Sequence, residues 1–152
     1  MPEQNAILFE KIQNKQAVIG VIGLGYVGLP IMLRFCEVGY KVIGFDVDEG
    51  KVRDINRGAS YIRHIPSDKI APFVKGRAPQ LSATIDMSAL KKADVIIICV
   101  PTPLTDKREP DLSYVENTAK EIARYLRPGQ LVSLESTTYP GTTDEILLPL
   151  FK

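Results

Sequence analysis

Apolar runs of strand length alternate with longer stretches of helical spacing along this chain. Residues 17–22, AVIGVI, form an apolar run that stops at a glycine-rich turn. Residues 27–38 then carry Leu29, Ile31, Met32, Leu33, Phe35 and Cys36, apolar nearly all round. That spacing predicts a helix covered on most sides and ended by Gly39. Residues 41–46, KVIGFD, return to the strand pattern. Asp48 stands where it can cap a helix carrying Val52 and Ile55, with Gly58 as its stop. The strongest strand signal is ADVIIICV, residues 93–100. From Val95 to Val100 it is unbroken and mostly β-branched, the pattern of a parallel strand buried on both faces.

The remaining segments fit the same alternation. LSATI (81–85) predicts a short strand and QLVSLES (130–136) a further one. Between them, Val115, Ala119, Ile122 and Leu126 mark the core face of a helix, and Glu116, Lys120, Glu121 and Arg124 its other face. Ser113 and Glu116 have the spacing of a capping box at its start. Residues 143–150 predict a final short helix. Residues 59–80 hold Pro66, Pro72 and Pro79, with room for one short helix near 67–75. Residues 3–15 read either as a short leading helix or as a loose extension. Strands alternating with helices imply an α/β fold, a doubly wound parallel sheet with right-handed crossovers and helices on both faces. One such domain accounts for residues 17–152, with 1–16 as an extension.

The 152 residues are enough for one domain with its own core. A net charge of +1 gives no strong field for nucleic acid or a membrane surface. No apolar run approaches the roughly 20 residues of a membrane span. MPEQNAILFEKIQNKQ lacks a basic start, an apolar block and a small-residue cleavage site, so no signal peptide is read and a cytoplasmic protein is expected. Cys36 and Cys99 form no CxxC and are expected as two buried thiols, with neither a disulfide nor a metal role.

The chemistry concentrates at Gly23-Leu24-Gly25-Tyr26-Val27-Gly28. A bare GxGxxG is weak evidence, but here a strand precedes it and a helix opens within it. Gly23 suits the tight turn, Gly25 lets a pyrophosphate approach the backbone, and Gly28 lets helix and strand pack closely. The helix N-terminus then faces the anion. Asp46 ends the second strand 18 residues beyond Gly28, where an acidic group accepts hydrogen bonds from an adenosine ribose. A carboxylate there repels a 2′-phosphate, which favours NAD over NADP. Lys51, about one helical turn further on, either reaches a phosphate or is simply solvated.

In a doubly wound Rossmann sheet the ligand lies across the C-terminal strand ends. Two more strand ends therefore matter. Val100-Pro101-Thr102-Pro103 is a loop stiffened by two prolines, in which Thr102 offers a hydroxyl and an N–H. Glu135-Ser136-Thr137-Thr138 is a hydroxyl cluster with a carboxylate; turn chemistry and helix capping explain it equally well. His64, the only histidine, has no partner carboxylate in view and reads as structural or exposed. The charged run 106–109, DKRE, is either solvated or in contact with substrate or a neighbouring domain.

VIGLGYVGLP, GFDVDEGKV, ADVIIICVPTPL and ESTTYPGTT together resemble the NAD-binding domain of the UDP-glucose/GDP-mannose dehydrogenase family. The run from CVPTPL through REPDLSYV to LESTTYPGTT is most similar to the UDP-N-acetylglucosamine 6-dehydrogenase branch. The resemblance covers nearly everything from Ala17 onward. It implies an oxidoreductase that takes the C6 alcohol of a UDP-sugar to a carboxylate in two NAD-dependent steps, for polysaccharide synthesis. It implies cofactor contacts from Gly23, Leu24, Gly25, Tyr26, Val27, Gly28, Asp46, Lys51, Val100, Pro101, Thr102, Ser136 and Thr137, with Thr137 also a catalytic-site candidate that positions a water.

The same resemblance implies homo-oligomeric enzymes of at least about twice this length. Their catalytic cysteine, lysine, asparagine and sugar-binding domain follow this segment. Cys36 and Cys99 fall in a helix and a strand, and neither matches that nucleophile. The expectation is a cofactor half that binds NAD without turnover alone. Two other readings compete: a stand-alone NAD-sensing regulatory module, and the cofactor domain of a β-hydroxyacid dehydrogenase. Tyr26-Val27, PTP and STTYPG argue against the second.

Overall fold

The computed structural model describes residues 2–152, with the side chain of Pro2 left aside. Ten elements follow in chain order: α1 (Pro2–Gln13), β1 (Val18–Ile22), α2 (Gly28–Glu37), β2 (Lys41–Phe45), α3 (Glu49–Asn56), β3 (Leu81–Thr84), β4 (Val95–Ile98), α4 (Ser113–Tyr125), β5 (Leu131–Leu134) and α5 (Leu148–Phe151). The five strands form one parallel sheet in the order β3-β2-β1-β4-β5. The chain builds outward from β1 to β3 and then returns to place β4 on the other side of β1. The strand order reverses between β1 and β4, and ligands bind above such a reversal.

Side-chain alternation splits the core into two layers. Ile19, Val21, Val42 and Ile97 pack beneath α2 and α3 with Leu29, Met32, Leu33 and Ile55. Ile22, Ile96 and Ile98 point the other way, toward Val115, Ala119 and Ile122 of α4 and Leu90. β4 is buried along its whole length, which is why its sequence shows no polar alternation.

Leading residues form a helix, and α1 is tied down. Leu8 and Ile12 pack on the first core layer, and the Tyr40 hydroxyl donates to the Ile12 carbonyl at 2.8 Å. Lys11 reaches the carboxylate of Asp94 at 2.9 Å, and Arg127 reaches the same oxygen at 2.9 Å. Asp94 is only 4% exposed and also accepts the Val18 N–H at 3.0 Å. One buried acid thus joins α1, β1, β4 and the turn before β5, at the end of the sheet opposite the strand C-termini.

Four local expectations change. Residues 67–75 form two single 3₁₀ turns, Ser67–Lys69 and Ala71–Phe73, rather than one helix; Pro72 has no N–H with which to continue a ladder. A 3₁₀ turn at Met87–Lys92, capped by Asp86 through the Ser88 N–H, carries the chain between β3 and β4 where no element was predicted. The capping box does not form: no side chain caps α4, and Asp111 takes the Ser113 N–H at 2.9 Å instead. The final helix begins as a widened turn over Thr143–Leu147, because Pro149 cannot donate to the carbonyl four residues back. Asp48 does cap α3, accepting from the N–H groups of Gly50 and Lys51.

Candidate functional site: a cleft over the strand ends

A cleft of about 870 Å³ opens above the C-terminal ends of β1, β2 and β4. The turn after β1 forms its floor. Gly23 has φ +94°, and a side chain there would meet the Cys99 carbonyl oxygen at 2.5 Å. A side chain at Gly28 would collide with the Gly23 carbonyl. Glycine is required at both places, for conformation at one and for close approach at the other. At Gly25 a Cβ meets nothing within 4 Å. The backbone there faces the open cleft, and any side chain would occupy ligand space rather than protein space.

The turn is braced from two sides. Leu24, fully buried, donates its N–H to Asp46 Oδ2 at 2.8 Å. Asp46 Oδ1 accepts the Asp48 N–H at 2.9 Å. Each oxygen keeps a further lone pair for a hydroxyl donor, since a carboxylate accepts about four hydrogen bonds. The Leu24 carbonyl takes the Tyr61 hydroxyl at 2.5 Å. Burial raises the Tyr61 phenol above its usual range, and Asp46, Asp48 and Asp54 add to that shift. It therefore stays a neutral donor. No side chain caps α2; Leu29 and Ile31 donate to the Gly25 and Val27 carbonyls and Pro30 has no N–H, so the N–H groups left for an anion are those of the turn itself, Gly25 to Gly28.

Cleft-lining residues include Gly23 to Val27, Asp46, Lys51, Val100, Pro101, Thr102 and Thr137. Gly28 and Ser136 do not line it. Gly28 is buried at the helix start, and the Ser136 hydroxyl donates to the Val100 carbonyl at 2.7 Å, fixing one strand-end loop to the other. Lys51 is half-buried, with Nζ 5.9 Å from the centre of the Tyr61 ring. His64 is exposed and stacks on Tyr26, ring centres 6.0 Å apart at 18°. The charged run 106–109 sits on an exposed finger closed by a bridge between Leu104 and Pro110. Both cysteines are buried. Burial, with Glu37 adding, pushes the Cys36 thiol up to about 12; burial and Glu135 push Cys99 up to about 11.

Sequence reasoning missed two contributions. Tyr61 sits in a segment without periodicity, and its contact with Leu24 spans 37 positions. The second is a stripe on α4. Tyr114, Asn117, Thr118 and Glu121 line the cleft at helical spacing, beside the core stripe of Val115, Ala119 and Ile122. Glu121 lies on the helix's other face, as its spacing predicts, but nothing in the sequence shows that part of that face borders a cleft.

The NAD binding domain of the UDP-glucose/GDP-mannose dehydrogenase family matches residues 17–152. The chain belongs to this family. Its cofactor is NAD, and the residues present fit one: an open backbone at Gly25, unpaired N–H groups in the turn leading into α2 and a held carboxylate at Asp46. The UDP-N-acetyl-D-glucosamine 6-dehydrogenase of Pseudomonas aeruginosa is 34% identical over 140 residues, covering 91% of this chain and 31% of that protein. The UDP-N-acetyl-D-mannosamine dehydrogenase of Yersinia pestis is 43% identical over 129 residues, covering 84% and 30%. The ternary complex of a GDP-mannose dehydrogenase from Pseudomonas aeruginosa superposes with a TM-score of 0.80 at 34% identity, covering 88% and 31%. The chain therefore spans about a third of the length of these relatives. Among the described residues no helix is long and apolar enough to cross a membrane.

Proposed function

We propose that this domain serves a nucleotide-sugar 6-dehydrogenase that oxidises the C6 alcohol of a UDP-sugar, UDP-N-acetylglucosamine first, to the carboxylate in two NAD-dependent steps. The observation that carries the reading is the Asp46–Leu24 clamp, which ties a ribose acceptor to the glycine turn in one rigid unit. Bound NAD supplies the hydride acceptor for both steps. The N–H groups at Gly25 to Val27 hold the pyrophosphate, and Asp46 holds the adenosine ribose through its hydroxyls. Lys51 lies on the same side and offers a charge to the phosphates. Val100, Pro101 and Thr102 form the wall over the sheet centre, kept in place by Ser136. Thr137, exposed at the end of β5, presents its hydroxyl toward the reacting end and positions a water there.

Neither cysteine serves as the covalent nucleophile. Both are buried, with thiols held well above neutral pH, so the thiolate is scarce even for Cys99, which borders the cleft. On this reading the sugar grip and the nucleophile come from other parts of the enzyme. Calorimetric titration with NAD and NADP, beside an NADH-formation assay with UDP-N-acetylglucosamine, UDP-N-acetylmannosamine and GDP-mannose, tests the reading. Expected are NAD binding, weak NADP binding and no turnover by this chain. The complete enzyme is expected to prefer UDP-N-acetylglucosamine. Sugar oxidation by residues 1–152 alone, or failure to bind NAD, overturns the assignment.

A further inference from the structure

The cleft does not end at the ribose acceptor. Beyond Asp46 it continues between the turn after β3 and the α4 stripe. Val47, Ile85 and Met87 line it there, and Thr118 and Glu121 of α4 line it as well. Val47 is 98% exposed and Ile85 is 51% exposed, so apolar surface is left uncovered on the rim. A slot with apolar walls and a few polar groups suits a flat heterocycle.

Charge adds a second observation. Four carboxylates line the cleft, Asp46, Asp48, Glu121 and Glu135, against one ammonium, Lys51. Such a lining opposes a dinucleotide carrying two phosphates unless each acid meets a donor. Asp46 and Asp48 already accept backbone N–H groups. Glu135 accepts the Ser133 hydroxyl at 2.6 Å. Glu121 is held by Arg124 at 2.8 Å through Oε1, on the same helix. That pairing orients the carboxylate and uses one of its two oxygens.

We propose that Glu121 is the base-reading residue of this site: it accepts a hydrogen bond from the exocyclic amine of adenine seated in the Val47–Met87 slot. An ionised carboxylate is an acceptor only. It matches the 6-amino group of adenine and opposes the 6-oxo group of hypoxanthine or guanine, which presents a lone pair at the same place. Asn117 and Thr118, as donors and acceptors alike, cannot enforce that choice. The inference rests on the NAD reading above and adds a specificity that reading does not require.

The test compares NAD with its hypoxanthine analogue, deamino-NAD, by calorimetric titration of the chain and its Glu121→Gln variant. A charge-assisted hydrogen bond at a half-exposed position predicts about 10-fold tighter NAD binding by the unaltered chain. Glutamine accepts through its carbonyl or donates through its amide, so E121Q should bring the ratio close to one while NAD affinity falls only a few-fold. Lys120→Gln, an exposed neighbour on α4, should leave the ratio unchanged. Circular dichroism checks that each variant folds. A ratio near one in the unaltered chain overturns the inference, and so does a ratio that E121Q does not move; in both cases NAD binding itself stands. Failure of the unaltered chain to bind either dinucleotide overturns the NAD reading, and the inference with it.

Discussion

Asp46 and Leu24, 22 positions apart, are joined by a 2.8 Å hydrogen bond from a backbone N–H to a carboxylate oxygen. The acid that faces the ribose is also the acid that shapes the phosphate turn. This coupling makes Asp46→Asn informative. The amide oxygen can still accept the Leu24 N–H, so the fold should hold, with its melting temperature lowered by a few degrees at most. The negative charge and part of the acceptor capacity are lost. NAD affinity should fall about 10-fold, and NADP should gain relative to NAD, as read by parallel titrations. Unchanged discrimination between the two dinucleotides would remove Asp46 from the ribose site.

The three glycines of the turn should separate stability from binding. Gly28→Ala drives a methyl into the Gly23 carbonyl and should unfold or strongly destabilise the domain, by about 3 kcal/mol or more in denaturant melts. Gly25→Val meets no protein atom within 4 Å at Cβ, so it should melt near the parent while NAD binding falls below detection. A stable Gly25→Val variant that binds NAD normally would show that the pyrophosphate does not lie over residue 25.

The division between what was readable and what was hidden follows the range of the interactions. β1 and β4 announce themselves because burial on both faces leaves no room for polar residues. The turn from Gly23 to Gly28 is readable because backbone geometry restricts each position. Residues 59–66 have no local signature, since Tyr61 is defined by a contact with Leu24 on another element. The cleft role of Glu121 is hidden for a related reason. A helix that borders both core and cleft carries two inward stripes, and the polar one looks like a solvent face in sequence. The missing capping box shows a nearer competition, in which Asp111 takes the donor first.

Tyr61→Phe isolates the second brace on the turn. It removes one hydroxyl from a buried contact and leaves the Leu24 carbonyl without that donor. A stability loss of about 1 kcal/mol is expected, together with a several-fold rise in the NAD dissociation constant. Tyr61→Leu should lose more stability, because the ring also packs against the first core layer. Equal NAD affinity in Tyr61→Phe and the parent would mean that Asp46 alone holds the turn.

The buried Asp94 should govern acid stability from the far end of the sheet. Burial by itself raises its carboxyl, but the Lys11 ammonium, the Val18 N–H and the Arg127 guanidinium outweigh that, and the net shift is downward. A carboxyl whose folded value lies below its unfolded value contributes stability that is fully present above the unfolded value of about 4. The contribution is lost as pH falls through the lower folded value. Asp94→Asn keeps an acceptor for Val18 but gives up the charge that joins Lys11 and Arg127. It should cost about 2 kcal/mol at pH 7 in urea melts. The gap between parent and variant should narrow below pH 4, as the parent's own Asp94 takes up a proton. The α1 helix is the element most exposed to the loss, since Lys11 is one of its ties to the sheet. Proteolysis at its junction with β1 should accelerate in the variant at neutral pH. A gap that stays constant from pH 7 to pH 3 would show that the Asp94 charge is not what secures α1 and the β5 turn.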